Sequence, residues 1–108
     1  MCLAVPAWAD FEAGMDAADR GDYETALRKW RPLAEQGDSY AQHNLGVLYA
    51  NGQGVLQDFV QAHMWYNLAA ANGDTFGGEL RDALALQMTP AQIAEAQKLA
   101  WEWKPKDK

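Results

Sequence analysis

Apolar and polar residues follow a helical period along nearly the whole chain. From Asp10 onward, alanine, leucine and aromatic residues recur at three- and four-residue spacing, and β-branched residues are few. Short breaks rich in glycine and aspartate interrupt this pattern, and Thr89-Pro90 marks its last restart. The pattern predicts helices over residues 10–20, 22–36, 39–51, 58–72, 75–87 and 90–103.

Capping signals support these boundaries. A side-chain acceptor followed three residues later by glutamine can satisfy the free backbone N–H groups at a helix start. The sequence offers this spacing at Ser39 with Gln42, Asp58 with Gln61, and Thr89 with Gln92. Pro90 then takes the first helical position, where a missing N–H is tolerated. Pro32 lies inside the second predicted helix and is expected to kink it.

The chain also resembles itself at an offset of thirty-six residues. The segments "AEQGDSY" (Ala34–Tyr40) and "AANGDTF" (Ala70–Phe76) align at this offset. A period of this length that contains two helices is typical of a helical-hairpin solenoid, whose hairpins bury their apolar faces by stacking. The sequence therefore predicts an all-α solenoid of about three αα-hairpins, over residues 10–36, 37–72 and 73–103.

The break "GQG" (Gly52–Gly54) separates the two helices of the central hairpin. A break of this kind usually needs a left-handed residue, so Gly52 or Gly54 is expected to have a positive φ. Gly46 lacks a side chain and is expected to let the partner helix approach closely. Trp65 is expected to be buried between the helices of this hairpin and the next.

The central hairpin resembles a Sel1-like repeat, a relative of the tetratricopeptide repeats. The resemblance runs over "AQHNLGVLYANGQGVLQDFVQAHMWYNLAAANGD" (Ala41–Asp74). Its marks are Ala41, Leu45-Gly46, Tyr49, Gly52-x-Gly54-Val55, Asp58, Ala62, Trp65, Ala69-Ala70 and Gly73. Residues 10–36 resemble a shortened repeat, and "MTPAQIAEAQKLAWEW" near the end resembles a capping helix. The resemblance implies a protein–protein interaction or adaptor role, often in the bacterial envelope.

The resemblance also implies a binding surface. In tetratricopeptide-like stacks, the first helix of each hairpin lines a concave face. By that analogy the candidate binding residues are Phe11, Met15, Tyr40, His43, Val47, Phe76 and Glu79. Aromatic and methionine side chains on an open face favour the binding of a peptide or a helix. The alternative is that some of these side chains are simply core between repeats.

Composition narrows the classes of partner. The chain has 9 basic and 15 acidic side chains and a formal net charge of −6. Nucleic-acid binders need a basic face, so no nucleic-acid partner is expected, and the basic tail over residues 104–108 is too short to change this. Cys2 is the only cysteine, which excludes an intrachain disulfide and a cysteine metal cluster. No apolar run approaches the length of a membrane span.

Catalytic residues are not evident in the sequence. His43 and His63 lie on different predicted helices without a partner at metal-ligand spacing, and both are expected to be solvent-facing or partly packed. Ser39 is the only serine, and its context is not the S-x-x-K of penicillin-recognising enzymes. We therefore predict no catalytic site, no metal site and no cofactor. Two alternatives stay open: an enzyme acting on cell-wall peptide or a β-lactam, and a self-associating structural protomer.

Residues 1–9, "MCLAVPAWA", differ from the rest of the chain because they are apolar and uncharged. Ala7-Trp8-Ala9 matches the A-x-A cleavage signature of an export signal, although a basic segment and a long apolar run are missing. One interpretation is the tail of a signal peptide, which predicts a periplasmic or secreted protein. The other is an apolar extension, which leaves a cytoplasmic location open. If retained, the segment is expected to lie on the concave face or to extend the first helix back to Pro6.

Overall fold

The regular structure of this protein is entirely α-helical. The computed structural model describes residues 5–106, and within that range it contains six helices and no strand. The helices are α1 (Ala7–Asp19), α2 (Tyr23–Glu35), α3 (Ser39–Asn51), α4 (Phe59–Ala71), α5 (Thr75–Ala85) and α6 (Pro90–Glu102). They lie within a few residues of the predicted ranges, which confirms an all-α helical-repeat solenoid.

Aspartate side chains cap the starts of four helices. In each case a carboxylate oxygen accepts a hydrogen bond from a backbone N–H two or three residues further on, and this satisfies a donor that the helix leaves free. The four caps are Asp22, Asp38, Asp58 and Asp74. Thr89 begins α6 with the complete reciprocal capping box to Gln92, as the sequence predicts.

The predicted cap at Ser39 is wrong, because Asp38 holds that position. The Asp38 Oδ1 atom accepts from the Ala41 N–H at 3.0 Å, and Ser39 is the first residue inside α3. Both residue types are good N-caps, so the two adjacent positions compete. Asp38 lies one residue before Ser39, and from there its carboxylate reaches the third N–H of the helix.

Gln42, the predicted capping partner of Ser39, is a buried bridge instead. Its amide nitrogen donates to the Ala34 carbonyl, and its amide oxygen accepts from the Asn72 side chain, both at 3.0 Å. Gln42 is fully buried, so these bonds satisfy groups that would otherwise be costly to remove from water. The side chain thereby joins α3 to the last turn of α2 and to the residue that follows α4.

Helix α1 begins three residues earlier than predicted. It starts at Ala7, with Pro6 in an extended conformation at the N-cap, and the Pro6 carbonyl accepts from the Ala9 N–H at 3.0 Å. Residues 7–9 therefore extend the first helix back to Pro6, which is one of the two expectations for a retained segment. Residues 1–4 lie outside the described range, and the inferences about Cys2 and the apolar side chains there lie outside it too.

The turn between α3 and α4 contains two left-handed glycines. Gly52 has a φ of 66° and Gly54 a φ of 74°, which confirms the predicted positive φ. The Asp58 N–H closes the turn by donating to the Tyr49 carbonyl at 2.9 Å. A Cβ atom added to Gly54 would lie 2.8 Å from the backbone carbonyl of Tyr23, so the turn also packs against the start of α2.

In the first two hairpins, a large aromatic side chain on the second helix packs onto a glycine of the first helix. Trp30 of α2 lies on Gly14 of α1, and Tyr66 of α4 lies on Gly46 of α3. An added Cβ would come within 2.2 Å of the Trp30 ring and 2.5 Å of the Tyr66 ring. Both aromatic side chains are buried, and Trp65 is only 7% exposed. The close approach predicted at Gly46 and the burial predicted for Trp65 are confirmed.

Helix α6 closes the stack along α4. It packs chiefly against α4 and little against α5, so residues 73–103 form a more open pair than the packed hairpin that the sequence predicts. Ala96 belongs to the smaller buried cluster, between α4 and α5, and Ile93 packs against it, while Leu99 and Trp103 pack against the larger cluster, within α1–α4. The apolar side of α6 thus covers both clusters, and this burial determines where the helix lies.

Candidate interaction surface

Helices α1, α3 and α5 carry the seven candidate binding residues. They are the first helices of the successive pairs, and their N-terminal ends hold Phe11, Tyr40 and Phe76. We call the surface that carries these candidates the first-helix face; it consists of Phe11, Met15, Tyr40, His43, Val47, Phe76 and Glu79. The structure brings some of these side chains into contact and leaves others separate.

An aromatic cavity of about 270 Å³ lies between the N-terminal turns of α1 and α3. The rings of Phe11 and Tyr40 meet edge to face there, with centroids 6.3 Å apart and planes at 64°. Trp8 and Tyr40 are largely exposed, at 67% and 69% of their surfaces. We call this space the α1–α3 cavity; it is lined by Ala7, Trp8, Phe11, Glu12, Asp38 and Tyr40.

Phe11 is fixed in place by the core behind it. Its ring packs against Trp30 with centroids 6.1 Å apart, and its backbone carbonyl accepts from the Trp30 Nε1–H at 3.1 Å. The side chain is partly buried against the larger core cluster. One wall of the α1–α3 cavity is therefore preorganised, whereas Trp8 and Tyr40 stand in solvent.

Met15 and Val47 lie further along the face and make different contacts. The Met15 sulfur lies 3.8 Å from the Asn44 Nδ2 atom, within reach of a weak hydrogen bond, and the side chain is half exposed. Val47 is partly buried against the core cluster between α4 and α5. It also borders a second cavity of about 320 Å³, together with Tyr23 and Asn44. Val47 therefore contributes to packing between repeats as well as to the surface.

His43 pairs with Asp74 across the gap between α3 and α5. Its Nδ1 atom lies 2.5 Å from one carboxylate oxygen of Asp74, while the other oxygen caps α5 by accepting from the Phe76 N–H. The His43 ring also meets the ring of Tyr66 edge to face, with centroids 6.2 Å apart. Burial raises the pKa of Tyr66 to about 12, so this neighbour stays a neutral phenol at physiological pH. The pair links the start of α5 to α3.

Phe76 and Glu79 stand apart from the other five candidates. Phe76 is 63% exposed, and Glu79 is exposed on the next turn of α5. Among the described residues, no ring contact, side-chain hydrogen bond or ion pair joins either side chain to the rest of the face. They add an exposed aromatic side chain and a negative charge on α5.

Sequence reasoning missed Trp8 and Asp74. Trp8 lay in the segment interpreted as a signal tail or an extension, so it was not assigned to the face. The sequence did contain a signal for Asp74. Gly73-Asp74 repeats Gly37-Asp38 thirty-six residues later, and each aspartate shortly precedes a candidate binding residue. Both aspartates cap a first helix, and both come to lie next to side chains of the preceding first helix.

His63 is buried, which corrects the expectation that both histidines are solvent-facing or partly packed. Only 3% of its surface is exposed, and its Nδ1 atom has no hydrogen-bond partner among the described residues. Burial lowers the pKa of His63 below its ordinary 6.5, and the nearby Arg81 guanidinium lowers it further, while Asp82 acts in the opposite direction. The folded protein therefore favours the neutral imidazole.

Acidification from about pH 7.5 to about 5.5 should destabilise the protein through His63. Between the lowered folded pKa and 6.5, the unfolded chain binds a proton that the folded chain does not, so the unfolding free energy falls as the pH decreases. Thermal melts should show a falling Tm in the natural protein and a flatter dependence in His63→Gln. An equal slope in His63→Gln would contradict this assignment.

The described residues show no arrangement suited to a metal ion. No group of three or more histidine, cysteine, aspartate or glutamate side chains comes together within residues 5–106. Across the same range, no helix is both long enough and apolar enough to cross a bilayer. What the surface offers chemically is exposed aromatic area, a histidine–aspartate pair and uncompensated carboxylates.

Two sequence comparisons relate this chain to known proteins. The family model described as Sel1 repeat matches residues 39–74, which contain α3 and α4. Over 69 residues, the chain is 35% identical to an exopolysaccharide production negative regulator from Rhizobium leguminosarum bv. viciae. That match covers 64% of this chain and 26% of the regulator.

A solved structure has the same fold over nearly the whole chain. It is the crystal structure of a protective antigen present in uropathogenic Escherichia coli strains, displaying an SLR fold. The match has a TM-score of 0.82 and 34% sequence identity, and it covers 91% of this chain and 22% of the antigen. The chain spans about a quarter of the length of the two proteins that it matches. The chain thus contains a Sel1 repeat over residues 39–74, and its fold is that of a Sel1-like repeat protein.

Proposed function

We propose that this protein is an interaction module that binds a protein or peptide partner through the first-helix face. The observation that carries the proposal is the exposure of large aromatic side chains there, because Tyr40 and Phe76 each leave more than half of their surface in water. Contiguous exposed apolar area marks interaction sites, whereas single exposed side chains are normal, and Tyr40 lines one cavity together with Trp8 and Phe11. Sel1 repeats are commonly protein–protein interaction modules and typically non-enzymatic scaffolds, which supports the proposal.

We also propose a periplasmic or secreted location. The A-x-A sequence at Ala7–Ala9 supports export, and the family resemblance points to the bacterial envelope. The exopolysaccharide production negative regulator suggests a role in controlling envelope or surface components through a protein partner. Recovery of the intact chain from the cytoplasmic fraction alone would contradict this location and favour the cytoplasmic alternative.

A photo-reactive phenylalanine analogue placed on the surface tests the interaction directly. Replacing Tyr40 or Phe76 by the analogue preserves an aromatic side chain at an exposed position. Trp101 on α6 is the matched control, because it is an aromatic residue that is 90% exposed but lies outside the first-helix face. We expect irradiation of cells to give one defined cross-linked partner from positions 40 and 76 and none from position 101.

The mass of the cross-linked product separates the alternatives. A product that contains a different protein supports the adaptor role, whereas a product of two copies of this chain supports the self-associating protomer. Equal cross-linking from positions 40, 76 and 101 would contradict the assignment of binding to the first-helix face, because it would show only that exposed aromatic positions capture whatever is near.

The enzymatic alternative has weaker support in the structure. His43 and Asp74 resemble two members of a catalytic triad, since the carboxylate orients one ring nitrogen of the histidine. A nucleophile must then hydrogen bond to the other ring nitrogen, and no hydroxyl or thiol does so among the described residues. Ser39, the only serine, lies one turn earlier on α3. We therefore propose that the His43–Asp74 pair has a structural role and joins α3 to α5.

A further inference from the structure

The α1–α3 cavity combines aromatic walls with negative charge. Trp8, Phe11 and Tyr40 provide three rings, and Glu12 and Asp38 provide two carboxylates. The face of an aromatic ring attracts a cation, and the attraction grows when the cation is partly removed from water. The two carboxylates attract a cation as well, and they repel an anionic group. The lining therefore selects for a positively charged guest.

Both carboxylates are available to such a guest. Asp38 uses its Oδ1 atom to cap α3, which leaves the second oxygen without a hydrogen bond in the described part of the chain. Glu12 is exposed and makes neither a hydrogen bond nor an ion pair within residues 5–106. Over the same range, the ion pairs are Lys29–Asp10, His43–Asp74, Arg81–Asp82 and Lys106–Glu35.

The size and rigidity of the cavity fit a single side chain. Its volume of about 270 Å³ lies just below that of pockets that hold whole small molecules, which are roughly 300–1,000 Å³. Phe11 is held by Trp30, so part of the lining needs no rearrangement on binding. The net charge of −6 attracts a basic segment from a distance and raises its rate of encounter.

We propose that the α1–α3 cavity binds a lysine or arginine side chain of the protein partner. This inference rests on the proposed function and names the chemistry of the partner's anchoring residue. The cation lies against the exposed rings, with the carboxylates of Glu12 and Asp38 as its counter-ions. Four of the six lining residues follow residue 9, so a chain cleaved after Ala9 retains both carboxylates and two of the three rings.

Two peptides that differ only in charge test this proposal. One is a capped pentapeptide with a lysine between two pairs of alanines; in the other, norleucine replaces the lysine and keeps a four-carbon side chain. Each is titrated into the full chain while the indole N–H signal of Trp8 is followed by NMR, with Trp8→Phe used for its assignment. We expect the lysine peptide to bind about five-fold more tightly than the norleucine peptide.

Charge-neutralising variants locate the binding site. Glu12→Gln and Asp38→Asn should each weaken lysine-peptide binding about two- to five-fold, and asparagine still caps α3, so the second variant should fold. Glu95→Gln is the matched control, because it removes one exposed carboxylate from α6, away from the cavity. It should leave binding unchanged.

Two results would overturn the proposal. Equal binding of the two peptides would show that the cavity does not select a cation, and an equal loss in Glu95→Gln would show that only net charge matters. Either result is separable from failure of the proposed function. A partner cross-linked at position Tyr40 would still support the proposed function, and only the proposal that its anchoring residue is basic would fail.

Discussion

Replacing Trp65 with alanine should remove a large part of the protein's free energy of unfolding. Trp65 lies in the larger core cluster, together with Trp30, Leu45 and Leu48, and is almost completely removed from water. Truncating a buried tryptophan to alanine costs about 3–5 kcal/mol, because transfer free energy is lost and a cavity is left. Small domains are stable by only about 5–15 kcal/mol in total. Urea unfolding followed by circular dichroism should show a collapse of the midpoint or no folded baseline.

Trp101→Ala provides the matched control for this prediction. The Trp101 side chain is 90% exposed, so removing it should change the unfolding free energy by no more than about 0.5 kcal/mol. A Trp65→Ala protein that keeps its helical signal and its urea midpoint would contradict the core described above. It would mean that the hairpins are held together without the ring that lies between them.

The helices and their turns could be predicted because their signals are local. Gly52 and Gly54 have the left-handed conformations expected of a glycine-x-glycine break, and Thr89 forms its capping box with a glutamine three residues away. The error at Ser39 has the same local origin. Asp38 and Ser39 are adjacent and are both good caps, so spacing alone does not decide between them.

The buried polar residues could not be predicted, because their partners are distant in sequence. Gln42 is satisfied by Ala34, eight residues away, and by Asn72, thirty residues away. His63 is enclosed by neighbouring helices and shows no local feature that separates it from an exposed histidine. Sequence patterns place polar side chains in water by default, and only packing between helices reverses that.

The candidate surface was predicted in part, because repeat periodicity fixes positions but not contacts. The period placed Tyr40 and Phe76 at the same position of successive first helices, and both are exposed. It did not show that Phe11 and Tyr40 meet, or that His43 reaches Asp74, since those contacts depend on the spacing between helices. The α1–α3 cavity depends further on α1 beginning at Ala7, outside the repeat pattern.

Gly54→Ala should be the more damaging of the two alanine substitutions in the central turn. Its φ of 74° is left-handed, and an alanine held there costs about 1–2 kcal/mol. The new Cβ would also lie 2.8 Å from the Tyr23 carbonyl carbon and oxygen, which are backbone atoms that cannot rotate away. Relieving that overlap should cost about 1–3 kcal/mol more. At Gly52 the nearest atoms are 3.2 Å away, so the overlap is milder.

Gly21→Ala separates the two contributions. Gly21 has a φ of 79°, close to that of Gly54, but an added Cβ would meet nothing within 4 Å. Urea unfolding of Gly21→Ala should therefore show a decrease in unfolding free energy of about 1–2 kcal/mol, which comes from the backbone conformation alone. The excess loss in Gly54→Ala then measures how tightly the turn between α3 and α4 packs on the start of α2. Equal losses in the two variants would show that this turn does not hold the first two hairpins together, and that their stacking depends on the other contacts between α2 and α3.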